Sequence, residues 1–222
     1  MNLKRKIGNK FFYRGGIFHP TRGFKLSWEK DLEIFVKENK KVINIGAGQY
    51  HRPGTISIDP SYEKEDEGHI RAYGENLPFK DNSVDFVICN AVLEHVRDPK
   101  KIIDEIHRVL KSEGRMYADI PFIYPFHAAP CDYSRMTIAG FESLCGKFEK
   151  IESGMCLGPN SALAQFLVIY SQVLFKNKKI KKIARNITKI LVSPLKYFDS
   201  FLFKNSEALS VAGGIYFYGR KK

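Results

Sequence analysis

What the 222-residue chain lacks narrows it first. Its four cysteines, Cys89, Cys131, Cys145 and Cys156, show neither C-x-x-C spacing nor a zinc-site pattern. With 44% hydrophobic residues a chain of this length needs no disulfides to hold a core, so reduced thiols in a cytosolic protein are expected, and no metal site. The basic start, Met1 to Lys6, meets no apolar stretch before Gly15 and Gly16, so no secretory signal is expected. No run reaches the roughly 18 apolar residues that a membrane-spanning helix needs. Acid is also short. Lys and Arg number 36 against 24 Asp and Glu, and the net charge of +12 favours an anionic partner, either nucleic acid or an anionic membrane surface.

The most informative stretch is Val42-Ile43-Asn44-Ile45-Gly46-Ala47-Gly48. Branched apolar residues suit a strand buried on both faces, and two glycines then let the backbone turn tightly and approach a ligand. Before it, residues 1–25 read as a basic arm with interleaved aromatics, and Ser27 as the N-cap of a helix through about Glu38 with Leu32, Phe35 and Val36 on one face. After it, Thr55 to Asp59 reads as a second strand ending in a carboxylate. In nucleotide-binding α/β folds an acid at that place accepts hydrogen bonds from ribose hydroxyls. The link between these strands is too short for the usual crossover helix.

Glu63 to Glu67 forms an acidic loop, His69 to Gly74 a short strand, and Val84 to Asn90 a buried strand. Asp98 caps a helix with Pro99 at its first position; Ile102, Ile103, Ile106, Val109 and Leu110 form its core face, and Gly114 ends it. Met116 to Ile120 is a fifth strand. The alternation predicts an open, mostly parallel sheet with helices on both sides.

The run E-N-L-P-F-K-D-N-S-V-D-F-V-I-C-N-A-V-L-E-H-V-R-D-P, followed by E-I-H-R-V-L-K-S-E-G-R, resembles class I S-adenosylmethionine-dependent methyltransferases. With Asn44 to Gly48 and Asp59 in register, the resemblance covers about residues 40–160. It implies a Rossmann-like α/β fold: a seven-stranded, mostly parallel sheet with an antiparallel last strand. It also implies S-adenosylmethionine as cofactor. Gly46, Ala47 and Gly48 would approach its amino-acid part, Asp59 its ribose, Tyr73, Gly74 and Glu75 its adenine, and Asn90 its methionine moiety. Asn44 stands where the family commonly has an acid, and Tyr73 where an aspartate often receives the adenine amino group.

Ile120 to Thr137 follows the fifth strand, at the sheet edge where such folds bind ligands. His127, with His95 as competitor, is the candidate base for removing a hydroxyl proton. Asp132 and Arg135 either orient it, hold substrate, or form a local pair capping the helix that Thr137 opens. His107 is expected to be exposed, and His19, His51 and His69 receive no role.

Phe148 to Gly154 reads as a sixth strand, and Gly213 to Arg220 as the antiparallel last one. The expected division is a core at 26–160 and 208–222 with a basic helical insertion at 161–207. In the insertion Ile180, Ile183, Ile187, Ile190 and Leu191 share a face while Lys178, Lys179, Lys181, Lys182, Arg185 and Lys189 cover the rest. That pattern suits an anionic membrane interface or a face packed on the domain, and nucleic acid less well. The P-F-x-Y-P-x-H-x-x-P-x-D-Y-x-R-x-T pattern is similar to methyltransferases of bacterial surface-glycan synthesis. It implies a sugar or lipid-linked saccharide hydroxyl as acceptor, in a cytoplasmic enzyme at the inner membrane face. A quinone or lipid acceptor, RNA methylation, and an inactive membrane-docked scaffold are the alternatives.

Overall fold

The computed structural model describes residues 26–48, 51–63, 66, 68–128, 130–203 and 205–222. The basic arm 1–25, with His19, lies outside the described residues, as do part of the acidic loop and two residues after Gly48. In chain order the elements are α1 (Ser27–Lys37), β1 (Val42–Ile45), β2 (Ile56–Ile58), β3 (His69–Ile70), β4 (Val84–Asn90), α2 (Pro99–Val109), β5 (Leu110–Pro121), α3 (Ile138–Leu144), β6 (Glu149–Leu157), α4 (Pro159–Val173), α5 (Lys178–Val192), α6 (Asp199–Leu202) and β7 (Gly214–Arg220). They form a seven-stranded sheet in the order β3-β2-β1-β4-β5-β7-β6. The first five strands pair in parallel; β7 runs antiparallel between β5 and β6.

Period-2 alternation sorts side chains onto the two faces. On one face Ile43, Ile45, Cys89, Met116, Ala118, Ile215 and Phe217 pack with Ile102, Ile103 and Ile106 of α2 and Phe141 of α3. On the other, Val42, Phe86, Ile88, Tyr117, Tyr216 and Tyr218 pack under Leu26, Trp28 and Leu32. The Trp28 ring stacks on Tyr117 at 4.0 Å. Asp31 of α1 pairs with Arg115 of β5 and accepts from the Tyr218 hydroxyl at 2.5 Å, so polar contacts fasten α1 to the same strands.

The short β1–β2 link is a turn, with Gly54 at φ +80° and the Thr55 amide and hydroxyl both donating to the Arg52 carbonyl. The strands pair in parallel without a crossover helix. Gly114 departs from expectation: α2 ends at Val109. The Asn82 and Ser83 amides take the Arg108 and Val109 carbonyls, and the chain re-pairs at once, with Leu110 opposite Val84 and Arg115 opposite Phe86. Residues 111–114 bulge out between those registers, and a Cβ on Gly114 would lie 2.8 Å from the Lys111 carbonyl oxygen. The glycine serves a bend in β5, not a helix end. His107 also differs: it is half-buried with its ring edge-on to Phe148 at 5.3 Å.

Between β6 and β7 the chain forms α4 and α5. Asn177 caps α5 by accepting from the Lys179 and Ile180 amides. No residue of α5 is buried. Among the described residues no helix is long and apolar enough to cross a membrane.

Candidate active site

The carboxyl ends of β1, β2, β3 and β4 lie along one edge of the sheet, because these strands run in parallel. The glycine turn after β1 stands there, with Gly46 at φ +65° and Gly48 at φ +51°, a region that side chains strongly disfavour. The Gly46 and Ala47 amides donate to the Ile58 carbonyl, and the Gly48 amide donates to Asp59 Oδ2 at 2.7 Å. The acid after β2 therefore holds the turn after β1. Its other oxygen accepts from the Ser61 amide and hydroxyl at 2.9 and 2.5 Å. A carboxylate offers about four lone-pair positions and these contacts take three, so one remains for a ligand hydroxyl.

The two glycines differ in their surroundings. A Cβ on Gly46 would overlap the Val92 side chain, whereas among the described residues nothing beyond its chain neighbours lies within 4 Å of a Cβ built on Gly48. Gly46 is close-packed; Gly48 faces open space. Gly74 is buried, with Ile45 and Ile102 each 3.0 Å from where its Cβ would be, so it lets the segment after β3 pack against β1. Tyr73 is 68% exposed beside it, and Glu75 is half-buried. Asn90 at the end of β4 donates to Asp119 Oδ2 at 2.5 Å and lies 3.5 Å from an Arg52 guanidinium nitrogen.

Asp119 and Arg52 are residues that sequence reasoning passed over. Asp119 is buried, receives the Tyr117 hydroxyl at 2.8 Å, and accepts from the Ala91 amide at 2.8 Å. That contact supports Ala91 at φ +49°, a strained conformation for alanine. The strain aims the following turn, Leu93 to His95, at the loop after β5. An acid inside the apolar run Met116 to Ile120 was the available signal for Asp119.

The loop and the turn meet in a cluster of titratable groups. The Tyr133 amide donates to the Glu94 carbonyl at 2.7 Å, and His95 Nδ1 lies 2.5 Å from the Cys131 carbonyl oxygen. The His95 and His127 rings stand edge to face at 5.1 Å. Glu94 lies between them, its side chain 1% exposed, with Oε1 at 3.7 Å from His95 Nε2 and 3.5 Å from His127 Nε2. Neither Glu94 oxygen has a hydrogen-bond partner in another of the described residues; only the Glu94 amide itself favours the charged form locally. Burial, reinforced by the nearby negative charges of Asp119 and Asp132, pushes the Glu94 carboxyl up to about 8. Asp132 is the opposite case. The Arg135 guanidinium pairs with both its oxygens and the His127 amide donates to it, which hold its carboxyl down at about 2. Burial lowers the His127 imidazole, which favours its neutral form.

The structure thus brings His127, His95, Asp132 and Arg135 together, and adds Glu94, whose burial the L-E-H motif did not reveal. The Asp132–Arg135 pair does not cap α3. The Thr137 hydroxyl does so, accepting from the Gly140 amide at 3.2 Å, while Asp132 folds back on His127 because the prolines curve the loop over the turn.

Known proteins resemble the chain in sequence and in fold. Residues 56–118 match the family described as "Methyltransferase domain". Over the matched segment the chain is similar to class I methyltransferases. It is 40% identical over 129 residues to the uncharacterized methyltransferase YcgJ of Bacillus subtilis, across 46% of this chain and 49% of that protein. It is 31% identical over 127 residues to the thiol S-methyltransferase TMT1B of Rattus norvegicus, across 44% and 52%. The chain spans about half the length of the curated relatives it matches. The crystal structure of the [4+2]-cyclase SpnF superposes with a TM-score of 0.54 at 15% identity, covering 93% of this chain and 87% of that one. A cyclase with this fold shows that the sheet alone does not dictate the reaction.

The cofactor of methyltransferases with this fold is S-adenosylmethionine. The residues present fit it. The open face of Gly48 admits a ligand against the backbone, and Asp59 retains one acceptor position where the family resemblance expects the ribose.

Proposed function

We propose that this protein transfers a methyl group from S-adenosylmethionine to an acceptor hydroxyl, a sugar or lipid-linked saccharide, at an anionic membrane surface. The observation that carries the reading is the junction of two sites on one sheet edge. The Gly48–Asp59 unit suits the adenosyl moiety, and Asn90, tied through Asp119 to the Ala91 turn, leads directly to the Glu94–His95–His127 cluster. Asp59 receives the ribose, Gly46 to Gly48 the amino-acid part, and Arg52 the carboxylate end. Tyr73, Gly74 and Glu75 flank the adenine. The bound cofactor supplies an electrophilic methyl on sulfur. The chain supplies position and a place for the acceptor proton.

An oxygen acceptor fits this cluster because a hydroxyl must lose its proton as the methyl bond forms, and ring nitrogens beside a buried carboxyl provide for that. Tyr124, edge-on to His127 at 5.4 Å, and the exposed Phe126 and Tyr133 form walls that suit stacking on a sugar ring.

Surface charge and apolar exposure support the membrane part. No acid stands between Glu152 and Asp199, while α5 carries Lys178, Lys179, Lys181, Lys182, Arg185 and Lys189. Ile183, Ile187, Ile190 and Leu191 of the same helix are 53–72% exposed, and Tyr170, Val173 and Phe201 extend the apolar surface. Such a patch beside basic residues is expected at an anionic lipid interface.

Calorimetric titration with S-adenosylmethionine, S-adenosylhomocysteine and NAD tests the cofactor. Micromolar binding of the adenosyl ligands alone is expected, followed by methylation in a screen of hydroxyl acceptors. A folded sample that binds none of them would remove the enzymatic reading.

A further inference from the structure

We propose that Glu94, His95 and His127 form a binding site for a divalent transition-metal cation, of the zinc, cobalt or manganese class, that ligates the acceptor hydroxyl. The inference deepens the reading of this cluster as the acceptor site and rests on it for the role, though not for the binding. One ligand atom from each residue falls within 4.8 Å of the others. The distances from Glu94 Oε1 to the two imidazole Nε2 atoms are 3.5 and 3.7 Å. Ligands about 2.0–2.1 Å from a tetrahedral zinc stand about 3.3 Å apart, so the two Glu94–imidazole spacings nearly fit and the widest span of the trio, within 4.8 Å, closes by up to about 1.5 Å on binding.

Two independent features separate this trio from a chance meeting. Both Glu94 oxygens are buried and have no hydrogen-bond partner in another of the described residues, only the nearby amide of Glu94 itself, an arrangement that buried carboxyl groups in proteins rarely keep. A cation would satisfy them. The other nitrogen of each imidazole is also engaged in the way metal-bound histidines are oriented. His95 Nδ1 meets the Cys131 carbonyl at 2.5 Å. His127 Nδ1 meets the Pro125 carbonyl and Asp132 Oδ2, each at 3.4 Å, with one Arg135 nitrogen also at 3.4 Å. A proton on Nδ1 answers the two acceptors and leaves the Nε2 lone pair toward Glu94, the usual second layer behind a metal ligand.

Two imidazoles and a carboxylate favour zinc and its neighbours over magnesium or calcium, which take oxygen ligands. Three protein ligands leave a position for substrate. His127, whose side chain is 37% exposed, marks the open side of the cluster. The acceptor hydroxyl, held by the cation, gives its proton to solvent. Its oxygen forms the bond to the methyl carbon as the sulfur–methyl bond of S-adenosylmethionine breaks, and the sulfonium becomes a neutral thioether. With the cation bound, both imidazole Nε2 atoms serve as ligands, and the proton-accepting role that the metal-free cluster offers passes to solvent.

The test is titration of the chelator-treated full-length protein with cobalt(II) chloride, followed by visible absorption. Glu94→Gln and His127→Ala are measured in parallel, and every sample is titrated with S-adenosylhomocysteine. One equivalent of cobalt with a ligand-field band is expected, weakened at least about tenfold in both variants while S-adenosylhomocysteine binding is unchanged. Glu94→Gln keeps the volume of the buried side chain, and His127→Ala acts at a half-exposed site, so a folding failure in one leaves the other informative. Absence of a stoichiometric band, or variants that bind cobalt like the parent, would overturn the site. Cobalt binding without S-adenosylhomocysteine binding would support the metal site and remove the methyltransferase reading instead.

Discussion

The Asp199 carboxylate occupies the space that a side chain on Gly158 would need. From there it caps α4, accepting from the Asn160 and Ser161 amides at 2.8 and 3.0 Å and from the Ser161 hydroxyl at 2.6 Å. A residue far along the chain thus closes the start of the insertion, and the glycine makes the approach possible. Asp199→Ala should lower stability by about 1–2 kcal/mol, the upper range for an N-cap. Gly158→Ala should cost more, because the methyl and the carboxylate cannot share one volume. Urea unfolding of the two variants checks the order, and an unchanged midpoint for Gly158→Ala would contradict it.

Asp59 both holds the Gly48 amide and faces the expected ribose position. Asp59→Ala should weaken S-adenosylmethionine binding about tenfold to a hundredfold, the loss expected for hydrogen bonds to a charged group. Circular dichroism should show the fold retained. Unchanged affinity by calorimetry would remove Asp59 from the site.

The apolar face of α5 should control membrane binding. The wild-type chain should co-sediment with phosphatidylserine-containing vesicles and not with neutral ones, and high salt should release it. Ile187→Glu, in a residue 53% exposed, should reduce sedimentation without altering the melting temperature. Equal sedimentation of the variant would mean that this face does not touch lipid.

Arg108 clamps the segment after β3 to α2. It donates to the Leu77 and Phe79 carbonyls at 3.1 and 2.8 Å, and to both Glu105 oxygens at 2.8 Å. Arg108→Ala should destabilise by about 2 kcal/mol. The same guanidinium holds the Glu105 carboxyl below its usual range, so its contribution is complete above the ordinary glutamate value near 4.3 and is lost as pH falls through the lowered one. Stability against pH should therefore fall less steeply on the acid side in the variant. Parallel acid limbs for the two proteins would exclude this pair as a source of the slope.

Much of this was legible in the chain. Val42 to Ile45 announced a strand buried on both faces, Asp98-Pro99 started a helix, and the isoleucines at helical spacing named its core face, because branching, capping and period act within a few residues. The L-P-F and L-E-H motifs and the paired glycines were enough for the family resemblance and for a mostly parallel sheet with an antiparallel last strand, while the order of the strands came from the structure. Gly114 misled because a glycine near a helix end looks the same whether it caps the helix or bends the following strand, and only the pairing of β4 with β5 separates them.

Tertiary structure decided the rest, and the common cause is burial. Glu94 carries no sign of burial in the L-E-H motif; the loop after β5 folds over it, removes water, and sets it against two imidazoles from different segments. His107 was drawn half inside by Phe148, and Asp132 was turned from α3 toward His127. α5 shows the converse. Its amphipathic pattern was plain in the sequence, and the fold leaves that face uncovered. Local chemistry dictates which elements form and which faces are apolar, whereas the dielectric and the partners that each charge meets depend on segments distant in sequence.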